Sequence, residues 1–131
     1  MVVDVLGLVL NVVITAANMA DVKAAILVLE PVLLTFRGIE KVLADQGYTG
    51  ELGKMLDQFY DCTLEITQKL GEGFTPAPFR WVVERTFAWL EKARRLCRDY
   101  EHLPENHAGV IYIAMIRLML RRLTDNRRRW T

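Results

Sequence analysis

The chain has 131 residues, 52% of them hydrophobic and 25% charged, with a net charge of +1 at pH 7. These totals describe one small folded domain around one core and exclude a disordered or fibrous chain. Cys62 and Cys97 stand alone, without a CxxC, which excludes a zinc site or a disulfide framework and predicts buried, reduced thiols. The near-zero net charge conceals an asymmetry: residues 1–79 carry five basic and ten acidic side chains, residues 80–131 twelve basic and six acidic. Arginine supplies nearly all of the later basic charge, and its planar fork suits phosphate, so a polyanion partner is expected for the second half. The plainer alternative is a pair of amphipathic helices that happen to be arginine-rich.

VVDV (2–5) and LVLNVVITA (8–16) are apolar and β-branched, with Leu6-Gly7 between them, which predicts a hairpin buried on both faces. The run is too short to span a membrane, is interrupted by Asp4 and Asn11, and lacks the basic flank of a signal peptide. No membrane association and a cytoplasmic location are therefore expected. A helix is predicted over Val22–Phe36, capped by Asn18 or Asp21 and broken at Pro31. IEKVLA (39–44) reads as a short buried strand that stops at Asp45, before the turn Gln46-Gly47-Tyr48-Thr49-Gly50. An acid at the carboxyl end of a strand is where α/β proteins place chemistry, although aspartate at a turn is also ordinary. A helix over Glu51–Tyr60, a half-exposed edge strand over Cys62–Lys69 and a glycine- and proline-rich loop over 71–78 follow.

Phe79 to Glu101 lacks proline and glycine, which predicts a long helix with Phe79, Val83, Thr86, Leu90, Ala93 and Cys97 on its core face. Arg80, Glu84, Glu91, Arg95 and Arg98 fall on another arc. That arc is either a solvated face with Arg80–Glu84 and Glu91–Arg95 pairs, or a metal-binding carboxylate among phosphate-holding arginines. Leu103-Pro104-Glu105-Asn106 reads as a turn. A last helix runs from about Ala108 to Leu123, with Ile111, Met115, Leu118 and Met119 inward and Arg117, Arg121 and Arg122 mostly outward. The end, DNRRRWT, is expected to be a frayed, solvated tail. His102 and His107 have no ligand spacing and are expected on the surface or in loops.

Four of these stretches, in order, resemble bacterial insertion-sequence transposases of the DDE class. ADQGYTGE (44–51) resembles their A-D-x-G-Y-x-G block, and RWVVERTFAWLEKARRLCRDYE (80–101) the block that carries the final catalytic Glu. VVDVLGLVLNVVITAANMAD (2–21) is similar to their V-D-x-x-G-L…A-A-N-x-x-D strand pair, and VIYIAMIRLMLRRL (110–123) to their closing helix. The resemblance implies an α/β, ribonuclease H-like mixed sheet with helices. It makes Asp45 the second catalytic carboxylate and Glu84 the third, both ligands of Mg²⁺. Two such ions, about 3.5–4 Å apart in sites of this kind, supply the nucleophile and relieve charge on the leaving oxygen. Arg80 matches the R-x-x-x-E spacing one turn before Glu84, and Tyr48 matches the tyrosine of the G-Y turn. Arg80, Arg85, Lys92, Arg94, Arg95 and Tyr48 are the expected contacts to transposon-end DNA. The sequence departs from the pattern where a basic residue is expected beyond Glu84: Glu91 lies there, with Lys92 one step away.

The resemblance also places a first catalytic Asp on a strand before the hairpin. Asp4 matches the non-catalytic aspartate of V-D-x-x-G and reads as a turn residue. Residues 1–131 are thus expected to be the C-terminal part of a transposase catalytic domain, truncated so that the first, central strand is missing. Unpaired strand edges then predict poor stability or pairing with an upstream-frame polypeptide or a full-length transposase. The function expected is metal-dependent DNA strand cleavage and transfer in the full-length enzyme, without activity in the isolated chain. The alternatives are a non-enzymatic DNA-binding or inhibitory module derived from a transposase, and a structural domain whose arginines keep it soluble.

Overall fold

The computed structural model describes residues 1–48, 50–67, 79–98 and 100–125. The expected loop over 71–78, the end of the edge strand and the arginine tail lie outside the described residues. Among the described residues the fold is a small α/β one with two two-stranded sheets and four helices. The chain forms two compact units, Ala16–Trp81 and Met1–Thr15 with Val82–Thr131. Among the described residues the strands pair as β1–β2 and β3–β4.

In the unit Ala16–Trp81, α1 (Asp21–Thr35) passes through Pro31 without breaking. Proline removes one backbone donor, but Pro31 and Leu27, the residue four before it, are both exposed, so water can satisfy the Leu27 carbonyl. Burial of Ala25, Val28, Leu29, Val32 and Leu33 holds the helix together on both sides of the proline. Neither Asn18 nor Asp21 caps it: the cap position is Ala20, without a side-chain bond, and Asp21 is the first helical residue. β3 (Lys41–Ala44), α2 (Glu51–Tyr60) and β4 (Thr63–Ile66) form a parallel βαβ unit with Lys41 opposite Thr63 and Ala44 opposite Ile66. α2 has the boundaries the sequence predicts. It buries Leu52 and Leu56 and ends at Asp61, whose φ of 50° is one that aspartate tolerates. β3 alternates exposed and half-buried residues, as β4 does, so it is not the fully buried strand its composition suggested.

In the other unit, β1 (Val2–Val3) and β2 (Val9–Asn11) are antiparallel and their residues are half-buried, less so than an apolar run implies. The turn between them is built by Asp4. Its Oδ1 accepts from the Leu6 and Leu8 amides at 2.9 and 2.8 Å, and its carbonyl accepts from the Gly7 amide. α3 spans Arg80–Glu91, shorter than the sequence suggested, and residues 94–96 form a separate 3₁₀ turn. Thr86 and Leu90 lie on the core face of α3 as expected, together with Val82, whereas Phe79 and Val83 are exposed. Cys97 is exposed too, contrary to expectation, because α3 ends before reaching it, whereas Cys62 is buried. α4 (Pro104–Thr124) begins at the proline that the sequence placed in a turn. Proline suits the first helical turn, where its missing donor costs nothing. Val12, Leu90, Ile111 and Met115 form the core of this unit, with Leu118 half-buried beside them and Met119 exposed.

Candidate functional site

The sequence-predicted residues of the unit Ala16–Trp81 gather at the carboxyl ends of its two parallel strands. Asp45 directly follows β3 and is exposed. Its Oδ1 accepts the Gly47 amide at 3.1 Å, so residues 46–48 fold as a 3₁₀ turn around that carboxylate. Beside it the Thr67 amide and hydroxyl both bond the Ala44 carbonyl, at 2.8 and 3.2 Å, which joins the ends of β3 and β4. Tyr48 is half-buried on this turn, and α1 contacts the same turn. Burial pushes the Tyr48 phenol above its ordinary pKa, and the Asp21 and Asp45 carboxylates push it the same way. Asp21 is therefore a second acid near the turn, one that sequence reasoning took for a helix cap. The signal was the A-A-N-x-x-D block, whose last residue opens α1.

The remaining predicted residues lie on α3 and just beyond it. Arg80 opens the helix, and Glu84 is exposed one turn later. Arg85 is half-buried: its Nη2 donates to the Leu6 carbonyl at 2.9 Å, and its guanidinium lies 4.8 Å from the centre of the Trp89 ring. That guanidinium thus supports the hairpin turn, beside Thr86, which is fully buried and donates to the Gly7 carbonyl at 2.7 Å. Lys92, Arg94 and Arg95 are exposed where α3 gives way to the 3₁₀ turn. Since the helix stops at Glu91, the expected Glu91–Arg95 pair gives way to a contact of Arg95 Nε with Glu101 at 2.6 Å. Asp45 belongs to one unit and Glu84 to the other.

Asp45 and Glu84 are the residue types a hard divalent cation takes. Among the described residues, however, no three His, Cys, Asp or Glu side chains group closely enough to hold a metal ion. Those residues do not make a complete cation site by themselves.

Asp45 thus stands exposed at the end of a parallel strand, and Glu84 stands exposed on a helix that also carries arginines. Residues 42–121, more than half of the chain and spanning both Asp45 and Glu84, match the family model described as Transposase DDE domain. The chain belongs to this family of DDE-class transposase domains. No curated protein and no solved structure matches it. Among the described residues, no helix is long and apolar enough to cross a membrane.

Proposed function

We propose that this chain is the C-terminal part of a ribonuclease H-like transposase catalytic domain, and that Asp45 and Glu84 are two of its three catalytic carboxylates. The observation that carries this reading is the family match, which runs continuously from the β3 strand before Asp45 into α4 beyond Glu84. The exposure of Asp45 at the end of a parallel strand supports it, because ligands of open α/β sheets bind there. Domains of this class use divalent metal, and we read the metal as Mg²⁺, which would activate the attacking oxygen and offset charge on the leaving one when bound. Tyr48, held beside Asp45, orients the substrate strand. Arg80, Lys92, Arg94 and Arg95 hold DNA phosphates through charge-assisted bonds, and Arg85 acts mainly by fixing the hairpin turn against α3.

The third carboxylate comes from an additional polypeptide segment, supplied by an upstream frame or by a full-length transposase. The test is a strand-transfer assay on transposon-end DNA with Mg²⁺. Residues 1–131 alone are expected to be inactive, and a polypeptide carrying the missing strand and its aspartate is expected to restore transfer. Asp45→Asn and Glu84→Gln should each abolish the restored activity without loss of fold. Restored activity that survives either substitution contradicts the assignment. DNA binding with no transfer under any combination favours the inhibitory-module reading instead.

A further inference from the structure

An open groove of about 1030 Å³ runs between the end of α3 and the outward side of α4. Six basic residues line it, Lys92, Arg94, Arg95, Arg117, Arg121 and Arg122, against the three acids Glu101, Glu105 and Asp125. The charges are not equivalent. Arg95 is paired with Glu101, and Arg122 is held 4.1 Å from the centre of the Trp89 ring. Lys92, Arg94, Arg117 and Arg121 are exposed along the two walls. Arg117 and Arg121 are four residues apart on α4, so they point from one face with Cβ atoms about 5–6 Å apart. That is comparable to the step between neighbouring phosphates on one strand. Apolar residues, among them Gly109, Val110, Ile113 and Ala114, line the groove along with these charges.

We propose that this groove seats a DNA sugar–phosphate backbone, with Arg117 and Arg121 as the principal phosphate contacts and Lys92 and Arg94 facing them. Neither Arg117 nor Arg121 belongs to the carboxylate site or to the α3 arginines matched by family spacing. The choice of DNA among polyanions rests on the transposase reading. The excess of arginine over acid supports a phosphate-bearing occupant, since the guanidinium fork matches phosphate oxygens in pairs. Contacts of this kind position a strand without reading its sequence.

The experiment is fluorescence anisotropy of the full chain with a short random-sequence duplex, in EDTA, over a salt series. Arg117→Gln/Arg121→Gln is expected to weaken binding at least about tenfold at low salt and to reduce the salt slope by about two phosphate contacts. Arg117→Lys/Arg121→Lys, which keeps the charge, should retain the slope, and Lys54→Gln on α2 should leave binding unchanged. Thermal melts of each variant verify folding. The proposal is overturned if the glutamine pair leaves affinity and slope unaltered. It is equally overturned if Arg127→Gln/Arg128→Gln/Arg129→Gln removes the binding while the groove pair does not, or if the chain prefers polyglutamate to DNA. EDTA separates this result from the catalytic reading. Binding through the groove with no transfer even when the strand-bearing polypeptide is present contradicts only the assignment of Asp45 and Glu84. Restored transfer and binding that are both unchanged by Arg117→Gln/Arg121→Gln contradict only the groove.

Discussion

The two units are held together by different means. In Ala16–Trp81, neighbouring stretches pair and bury apolar residues: α1 and α2 contribute Val28, Leu29, Val32, Leu33, Leu52 and Leu56, and β3 and β4 pair across one helix. In the other unit, segments about 80 to 100 residues apart in sequence share the apolar core of Val12, Leu90, Ile111 and Met115 and are tied in addition by a few polar side chains. Arg85 and Thr86 bond the Leu6 and Gly7 carbonyls, and the Tyr112 hydroxyl donates to Asn11 Oδ1 at 2.8 Å and accepts from the Val12 amide. The first arrangement tolerates change at any one position except in its core. The second adds to its core a handful of long-range polar contacts, which fix the hairpin against the helix that carries Glu84.

Core truncation tests the division most strongly. Leu52→Ala and Met115→Ala each remove a side chain that is 1–2% exposed, and each should cost about 3 kcal/mol. Hydrogen exchange should show lost protection confined to residues 16–81 for the first and to the hairpin and α4 for the second. Equal loss in both units from either substitution breaks the comparison.

Next in size is the hairpin turn. Gly7 has φ of +80°, and a Cβ there would lie 2.7 Å from Thr86 Oγ1 and 3.1 Å from Trp89 Cζ3. Gly7→Ala should therefore cost about 2–3 kcal/mol in denaturant unfolding, through backbone strain together with displacement of Thr86. Thr86→Val keeps the shape but leaves the buried Gly7 carbonyl without its donor, and should cost about 1–2 kcal/mol. If Thr86→Val proves neutral, the polar contacts do not carry the stability ascribed to them.

The smallest expected effects come from titration. Tyr48 has its pKa raised by burial, then by Asp21 and Asp45. A raised folded-state pKa means that its stabilising contribution is complete below about pH 10, the unfolded value, and is lost as pH rises through the folded value. In a chain whose other tyrosines are phenylalanine, phenolate absorbance should develop above pH 10, and Asp21→Asn should move it down more than Asp45→Asn. No movement with Asp21→Asn separates α1 from the Asp45 turn. Lys41, bonded to Glu65 at 2.7 Å on the exposed side of β3, also has a raised pKa, first from that hydrogen bond and then from the charge. Its contribution is present below its ordinary pKa and fades above it, and Lys41→Gln should change the melting midpoint at pH 7 barely or not at all.

Much of the βαβ unit was legible in the sequence because local signals agree there. The strand ends at Asp45, glycines mark the turn, and α2 has an unambiguous apolar face. What was misread depended on tertiary context. Pro31 signals a break, but burial on both sides of it outweighs one missing hydrogen bond. Pro104 signals a turn equally well as the first turn of a helix, and only the packing of Ile111 and Met115 decides. The face of α3 was read correctly at Thr86 and Leu90, but Val82 is buried where Phe79 and Val83 were expected. Asp45 and Glu84 were singled out as candidates through motif blocks. Asp21 and the arginines of α4 were passed over, because proximity to Tyr48 and the shape of a groove have no one-dimensional signature.

On the function proposed above, Asp45 and Glu84 are ligands of the same divalent ions. Manganese titration followed by amide NMR line broadening, with the strand-bearing polypeptide present, tests it directly. The account predicts that amides around residues 45–48 and around residues 83–86 broaden together at the same Mn²⁺ concentration, and that Asp45→Asn abolishes both effects. Broadening at one acid that is indifferent to removal of the other contradicts it.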